Sequence, residues 1–239
     1  MIRQSNTDRF QQLSYKYGDL MREVWKEIGL DYDQLELSIL NAIQQTYPSY
    51  REAKILDIGV GEGDSIVLLL EDGCKHLTGI DINEAMLEAA RKRLGEDVRL
   101  LKADAMHMDD FTQGMFDIVI TSGSIHNIPK EERSLFWSEL LRLSPTLFVC
   151  AEKIADPDPV KYQKSYKNDI EAIQNVCGRH NLSLLAEDWA EHYRVDEREK
   201  LTVDEIMQNI GEVYVVRVFF EMGMCKTVLC IRKDFLTTR

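Results

Sequence analysis

No stretch of this chain stays apolar for the roughly 18 residues that a membrane-spanning helix needs. The polar opening MIRQSNTDRF also lacks the apolar segment of a secretory signal, so a cytoplasmic protein without membrane contact is expected. Paired cysteines are missing as well. Cys74, Cys150, Cys177, Cys225 and Cys230 are odd in number, scattered and without CxxC spacing, which argues against disulfides or a zinc site and for reduced thiols with no metal. Positive charge is in deficit: 29 Lys and Arg stand against 41 Asp and Glu, a formal net charge of −12. Phosphate backbones are bound largely through Lys and Arg, so a nucleic-acid substrate is disfavoured and a small molecule or peptide is the expected partner. Internal repeats and low-complexity tracts are absent too. The oligomeric state is not written in the sequence, and a homodimer is left open.

What the chain does have is an α/β pattern long enough, at 239 residues with 44% hydrophobic, for one full core. Residues 55–63, ILDIGVGEG, read as a buried parallel strand opening onto a tight turn. Gly59, Gly61 and Gly63 free the backbone to approach a ligand where a Cβ would collide. A helix is expected to resume at 64 or 65 and to stop at Gly73. The spacing is GxGxG, with Asp64 where the dinucleotide fingerprint has its third glycine. Asp57 and Asp64 surround the turn with negative charge, which suits a cationic nucleoside better than a pyrophosphate.

Further strands follow at 76–80, 98–103, 116–121 and from 146, and residues 213–220 and 226–233 read as a closing hairpin around Gly223. Asp81 ends the second strand about 20 residues past the glycines, where a carboxylate accepts from both ribose hydroxyls. Asn83 is the better N-cap for the helix over 84–94, which leaves Asp81 for a ligand. Asp104 is either an adenine reader or a loop acid, and Met106 and Met108 either line an adenine slot or fill core. In the loop SGSIHNIP, His126 is either a general base, histidine being the side chain suited to proton exchange near neutral pH, or a residue that shapes the loop. Pro129 is expected in the first turn of the next helix.

On Asp57, Ile58, Gly59, Val60, Gly61, Glu62 and Gly63, with Asp81 and Asp104 following in order, the chain resembles the class I S-adenosylmethionine-dependent methyltransferases. The resemblance implies an α/β fold with a seven-stranded, mostly parallel sheet, helices on both faces and an antiparallel last strand. It implies S-adenosyl-L-methionine (SAM) as cofactor, held by Asp57, Gly59, Gly61, Gly63, Asp81, Ile82, Asp104, Ala105 and Ser122. It further implies methyl transfer to a small-molecule acceptor oxygen, nitrogen or carbon. The domain plan is one unit: a helical lid over 1–50, a SAM-binding core over 51–155, a helical substrate insert over 156–212 and a closing hairpin over 213–239. Within the insert, Tyr162 and Tyr166 stand four apart on one face of an amphipathic helix over about 161–177, and His192, Tyr193 and Arg194 follow on a stretch that reads otherwise as an exposed charged helix; all five are candidate acceptor-binding residues. Together with Glu152 and Lys153, the layout also looks like the carboxy-SAM synthase group, although the arginine that clamps the extra carboxylate there has no match. A SAM-binding regulatory protein and an NAD(P)-dependent oxidoreductase are the readings from other classes.

Overall fold

A computed structural model describes residues 17–182, 186–187, 190–191, 194 and 200–237. Five apolar segments build the parallel part of a sheet: β1 (Lys54–Ile58), β2 (His76–Asp81), β3 (Val98–Lys102), β4 (Ile118–Ser122) and β5 (Leu147–Lys153). Two strands close it, β6 (Tyr214–Met222) and β7 (Cys225–Arg232). The order across the sheet is β3-β2-β1-β4-β5-β7-β6, and only β7 runs against its neighbours. This is the layout expected from the sequence.

Parallel neighbours require crossovers, and short amphipathic helices supply them. These are α3 (Asp64–Glu71), α4 (Glu84–Leu94) and α5 (Arg133–Leu143). Two helices precede the sheet, α1 (Tyr17–Glu27) and α2 (Tyr32–Thr46); α6 (Pro159–Arg179) and α7 (Val203–Ile210) lie before the hairpin, and α8 (Lys233–Thr237) follows it. Asn83 caps α4 by accepting from Ala85 N–H at 3.0 Å, and Asp158 caps α6 by accepting from Val160 N–H at 2.9 Å. α5 starts later than expected. Residues 129–132 form a turn closed by Glu132 N–H donating to Pro129 C=O at 2.9 Å, so Pro129 ends the loop and does not open the helix.

Side chains alternate across the sheet and make two cores. Ile55, Ile118, Ile120, Leu147, Val149 and Ala151 face α1, α2, α3, α4 and α6. Leu56, Ile58, Val119, Phe148 and Cys150 face α5, α7 and the loop over 104–116. By the same alternation Asp57 and Ser122 belong to the α2 face, while Glu152 belongs to the α5 face. All five cysteines are buried and free, as expected for core thiols.

Candidate active site

The strand ends β1 to β4 open into one cavity, at the place where the sheet order reverses direction. The glycine turn after β1 forms its floor. Gly59, Gly61 and Gly63 all have positive φ, at 74°, 53° and 87°. At Gly59 a Cβ would sit 2.0 Å from Ser124 Oγ, so the approach of the two loops requires glycine there. Gly61 faces open space. Gly63 departs from the expectation of ligand contact: it is absent from the cavity wall, and a Cβ on it would meet Leu94 Cδ1 at 2.7 Å. Its role is to let α3 pack against α4.

Asp81 stands at the end of β2 and lines the cavity. Gly61 N–H donates to its Oδ2 at 3.0 Å and Asn83 N–H donates to its Oδ1 at 2.8 Å. Burial pushes its carboxyl above the ordinary range, against the lowering effect of those backbone donors. A carboxylate oxygen has two lone pairs, so the pinned group retains capacity for ligand hydroxyls. Ile82, 52% exposed, lies beside it on the wall with Met86. Asp104, Ala105 and Ser122 also line the cavity. Met106 and Met108 do not; they are buried in the α5-side core.

Asp57 is 1% exposed beneath the wall, and neither carboxylate oxygen has a hydrogen-bond partner. Burial first, then the charges of Glu36 and Asp81, hold its pKa well above the ordinary carboxylate range. Glu36 was not legible from the motifs. It projects from α2 into the cavity, 3% exposed, and accepts from Ser65 Oγ at 2.6 Å and Ser122 Oγ at 2.7 Å. Burial pushes its carboxyl up to about 7, with the two serines pulling the other way. Tyr32, also from α2, completes that wall. Arg22 of α1 bonds to Asp33 at 2.8 Å and to Asp64 at 3.2 Å, fastening the N-terminal helices to the start of α3.

His126 lies differently from a base facing an acceptor. The cavity wall takes its neighbours Ile125 and Asn127, whereas the imidazole is on the other side of the loop, with Nδ1 2.7 Å from Glu152 Oε2. Glu152 is fully buried, and its Oε1 also accepts from Ser124 N–H at 2.7 Å and Ile125 N–H at 2.8 Å. The carboxylate thus gathers the loop from below.

The insert departs from expectation as well. Among the described residues of 156–212 none lines the cavity. Tyr162 and Tyr166 are buried in the α2-side core because α6 packs its apolar face on α1. Arg194 is exposed and paired with Glu191 at 2.7 Å. His192 and Tyr193 lie outside the described residues. Ile125, Ile128 and Phe136 instead provide an apolar wall past β4. No metal-binding group of His, Cys, Asp and Glu occurs among the described residues, and no helix there is long and apolar enough to cross a membrane.

Comparisons with known proteins agree with this architecture. Residues 55–145 match the family described as Methyltransferase domain. The ubiquinone/menaquinone biosynthesis C-methyltransferase of Methylobacterium nodulans is 27% identical over 150 residues, which is 55% of this chain and 58% of that protein. A carboxy-S-adenosyl-L-methionine synthase of Yersinia pseudotuberculosis is 28% identical over 142 residues, 54% of this chain and 59% of its own length. The chain therefore spans less than two thirds of these relatives. The magnesium protoporphyrin IX methyltransferase of Synechocystis PCC 6803, solved with bound SAM, superposes with a TM-score of 0.59 at 14% identity, covering 95% of this chain and 97% of that one. The superposition and the sheet order define a Rossmann-like α/β fold. Within that fold, residues 55–145 carry the match to the methyltransferase domain.

Proposed function

We propose that the cavity binds S-adenosyl-L-methionine and that the protein transfers its methyl group to a small-molecule acceptor. The charge of the wall carries this reading. Among the described lining residues, Glu36, Glu62, Asp64, Asp81 and Asp104 are acidic and none is Lys, Arg or His. A pyrophosphate would meet carboxylates at the start of α3, whereas a cationic nucleoside is attracted there. The buried, unpartnered oxygens of Asp57 add to that preference. The same lack of a cation disfavours carboxy-SAM, whose additional carboxylate needs one.

Bound SAM would supply an electrophilic methyl group on a sulfonium. Asp81 would hold the ribose diol, its carboxylate pre-oriented by Gly61 and Asn83. Asp104 would accept from the adenine amine and the Ala105 backbone would donate to the ring, with Ile82 and Met86 against its faces. Gly59 and Ser122 would flank the tail at the ends of β1 and β4. The acceptor would enter past Ile125, Ile128 and Phe136, and holding it in line with the methyl would supply most of the rate. The Glu152 clamp under residues 124–126 fixes that side of the site. His126 is a positioning residue in this scheme. The relatives' quinone chemistry fits an apolar acceptor entrance, and the net charge of −12 fits a substrate that is not nucleic acid.

Asp81→Ala is expected to lower SAM affinity at least 100-fold in isothermal titration calorimetry while the far-ultraviolet circular dichroism is retained. Unchanged affinity in a folded variant would remove the ribose assignment.

A further inference from the structure

Glu36 has no place in the glycine motif, yet with Asp57, the motif's first residue, it forms a buried acidic pair on the α2 face of β1. Alternation along β1 puts Asp57 on the face that α2 covers, and α2 brings Glu36 over it. Ser65, in the first turn of α3, and Ser122, at the end of β4, both donate to Glu36. The Glu36 carboxylate therefore spans the ends of β1 and β4. With the nucleoside assigned to Asp81 after β2 and Asp104 after β3, the sheet order leaves that span for the amino-acid tail.

Three observations ask for a cation there. Glu36 lines the cavity and keeps one lone pair on each oxygen after the serine bonds. Asp57 has two buried oxygens without partners. The nearest guanidinium, Arg22, is committed to Asp33 and Asp64. We propose that Glu36, a residue of the N-terminal helices outside every motif of the fold, receives the α-ammonium group of the bound methionyl tail, with Asp57 adding to the attraction from below. The inference rests on the SAM reading above. It makes α2 part of the cofactor site, so that these helices select nucleosides bearing an aminoacyl tail. The raised carboxyl of Glu36 agrees with it, because an ammonium partner stabilises the ionised form that burial disfavours.

Calorimetry on the full chain tests this with SAM, S-adenosylhomocysteine, its analogue lacking the α-amino group, and 5′-methylthioadenosine. Wild-type protein is expected to bind S-adenosylhomocysteine about 10-fold to 100-fold more tightly than the deamino analogue, the size of a charged hydrogen bond. Glu36→Gln keeps the shape and the serine partners; it should lower the affinity for SAM and for S-adenosylhomocysteine by that factor and leave 5′-methylthioadenosine within about two-fold. Equal loss for all ligands, or no loss, overturns the proposal. Loss for SAM alone overturns it too, since it would assign the carboxylate to the sulfonium. Should the variant fail to fold, the wild-type comparison decides by itself, equal binding of the two thioethers being the contrary result. If wild-type protein bound none of these nucleosides, the SAM reading itself would fall, and the inference with it.

Discussion

Three carboxylates raised by burial, Glu36, Asp57 and Asp81, set how stability responds to pH. Glu36 has its carboxyl pushed up to about 7 from an ordinary 4.5, chiefly by burial, and burial raises Asp57 and Asp81 in the same direction. A group whose pKa is raised on folding favours the folded state while protonated. Its contribution is complete below the unfolded pKa and is lost as the pH rises through the folded one. Glu36 faces Asp64 and Arg22 as well as the two serines, and burial outweighs all of them. Between pH 4.5 and 7 its ionisation should cost the ligand-free protein on the order of 3 kcal/mol. The carboxylates with lowered pKa values, Asp72, Glu139, Asp156, Glu221 and Asp234, lose their contribution only below the ordinary carboxylate range, outside this window. The melting temperature should therefore fall from pH 5 to 7.5, and Glu36→Gln should flatten the slope while Asp57 and Asp81 retain part of it. A variant with the full slope would show that Glu36 does not titrate there. At this scale the sequence was legible where a motif fixes spacing: Asp81, Asp104, Ala105 and Ser122 are all on the wall. It was silent on Glu36, because a single acid on an amphipathic helix has no local mark of the site it meets across 86 residues of chain, at Ser122.

Helices and loops decide which of these residues meet. Secondary structure was well marked where caps and glycines speak, as at Asn83 and Gly95 around α4. Pro129 misled, because a proline in a loop turn and a proline at a helix start share their sequence surroundings. Gly63 was assigned to the ligand, and its tight neighbour proved to be Leu94, a tertiary contact that no spacing encodes. The largest departure is in the cavity wall: the described residues of 156–212 stay off it, and α2 and the loop over 122–128 line it instead. An amphipathic pattern such as that of Tyr162 and Tyr166 shows that a face is buried and does not show against what. The α1–α2 pair is fastened to the site by Arg22, through Asp33 and Asp64. Those bonds are partly exposed, with Arg22 36% accessible, so each contributes no more than about 1 kcal/mol. Arg22→Ala is expected to weaken SAM binding about three-fold to ten-fold by loosening the helices that bear Tyr32 and Glu36. Calorimetric affinity equal to wild type would mean that these helices hold their place without that tie.

For the molecule as a whole, the sheet order brings four strand ends to one cavity, and the charges collected there are acidic. The order of motifs along the chain was enough to foresee the sheet, including the single antiparallel strand, because parallel steps demand long crossovers and the short turn at Gly223 forces a hairpin. The acidity of the turn was legible as well, at Asp57 and Asp64, whereas Glu36, which α2 adds to the wall, was not. The central claim is that this wall selects a cationic, phosphate-free nucleoside. Titrating the purified full chain with SAM and, separately, with NAD in one calorimeter at pH 7.5 tests it most directly. Saturable heat with SAM at one site per chain and none with NAD is the result expected. Binding of NAD without binding of SAM would contradict the account.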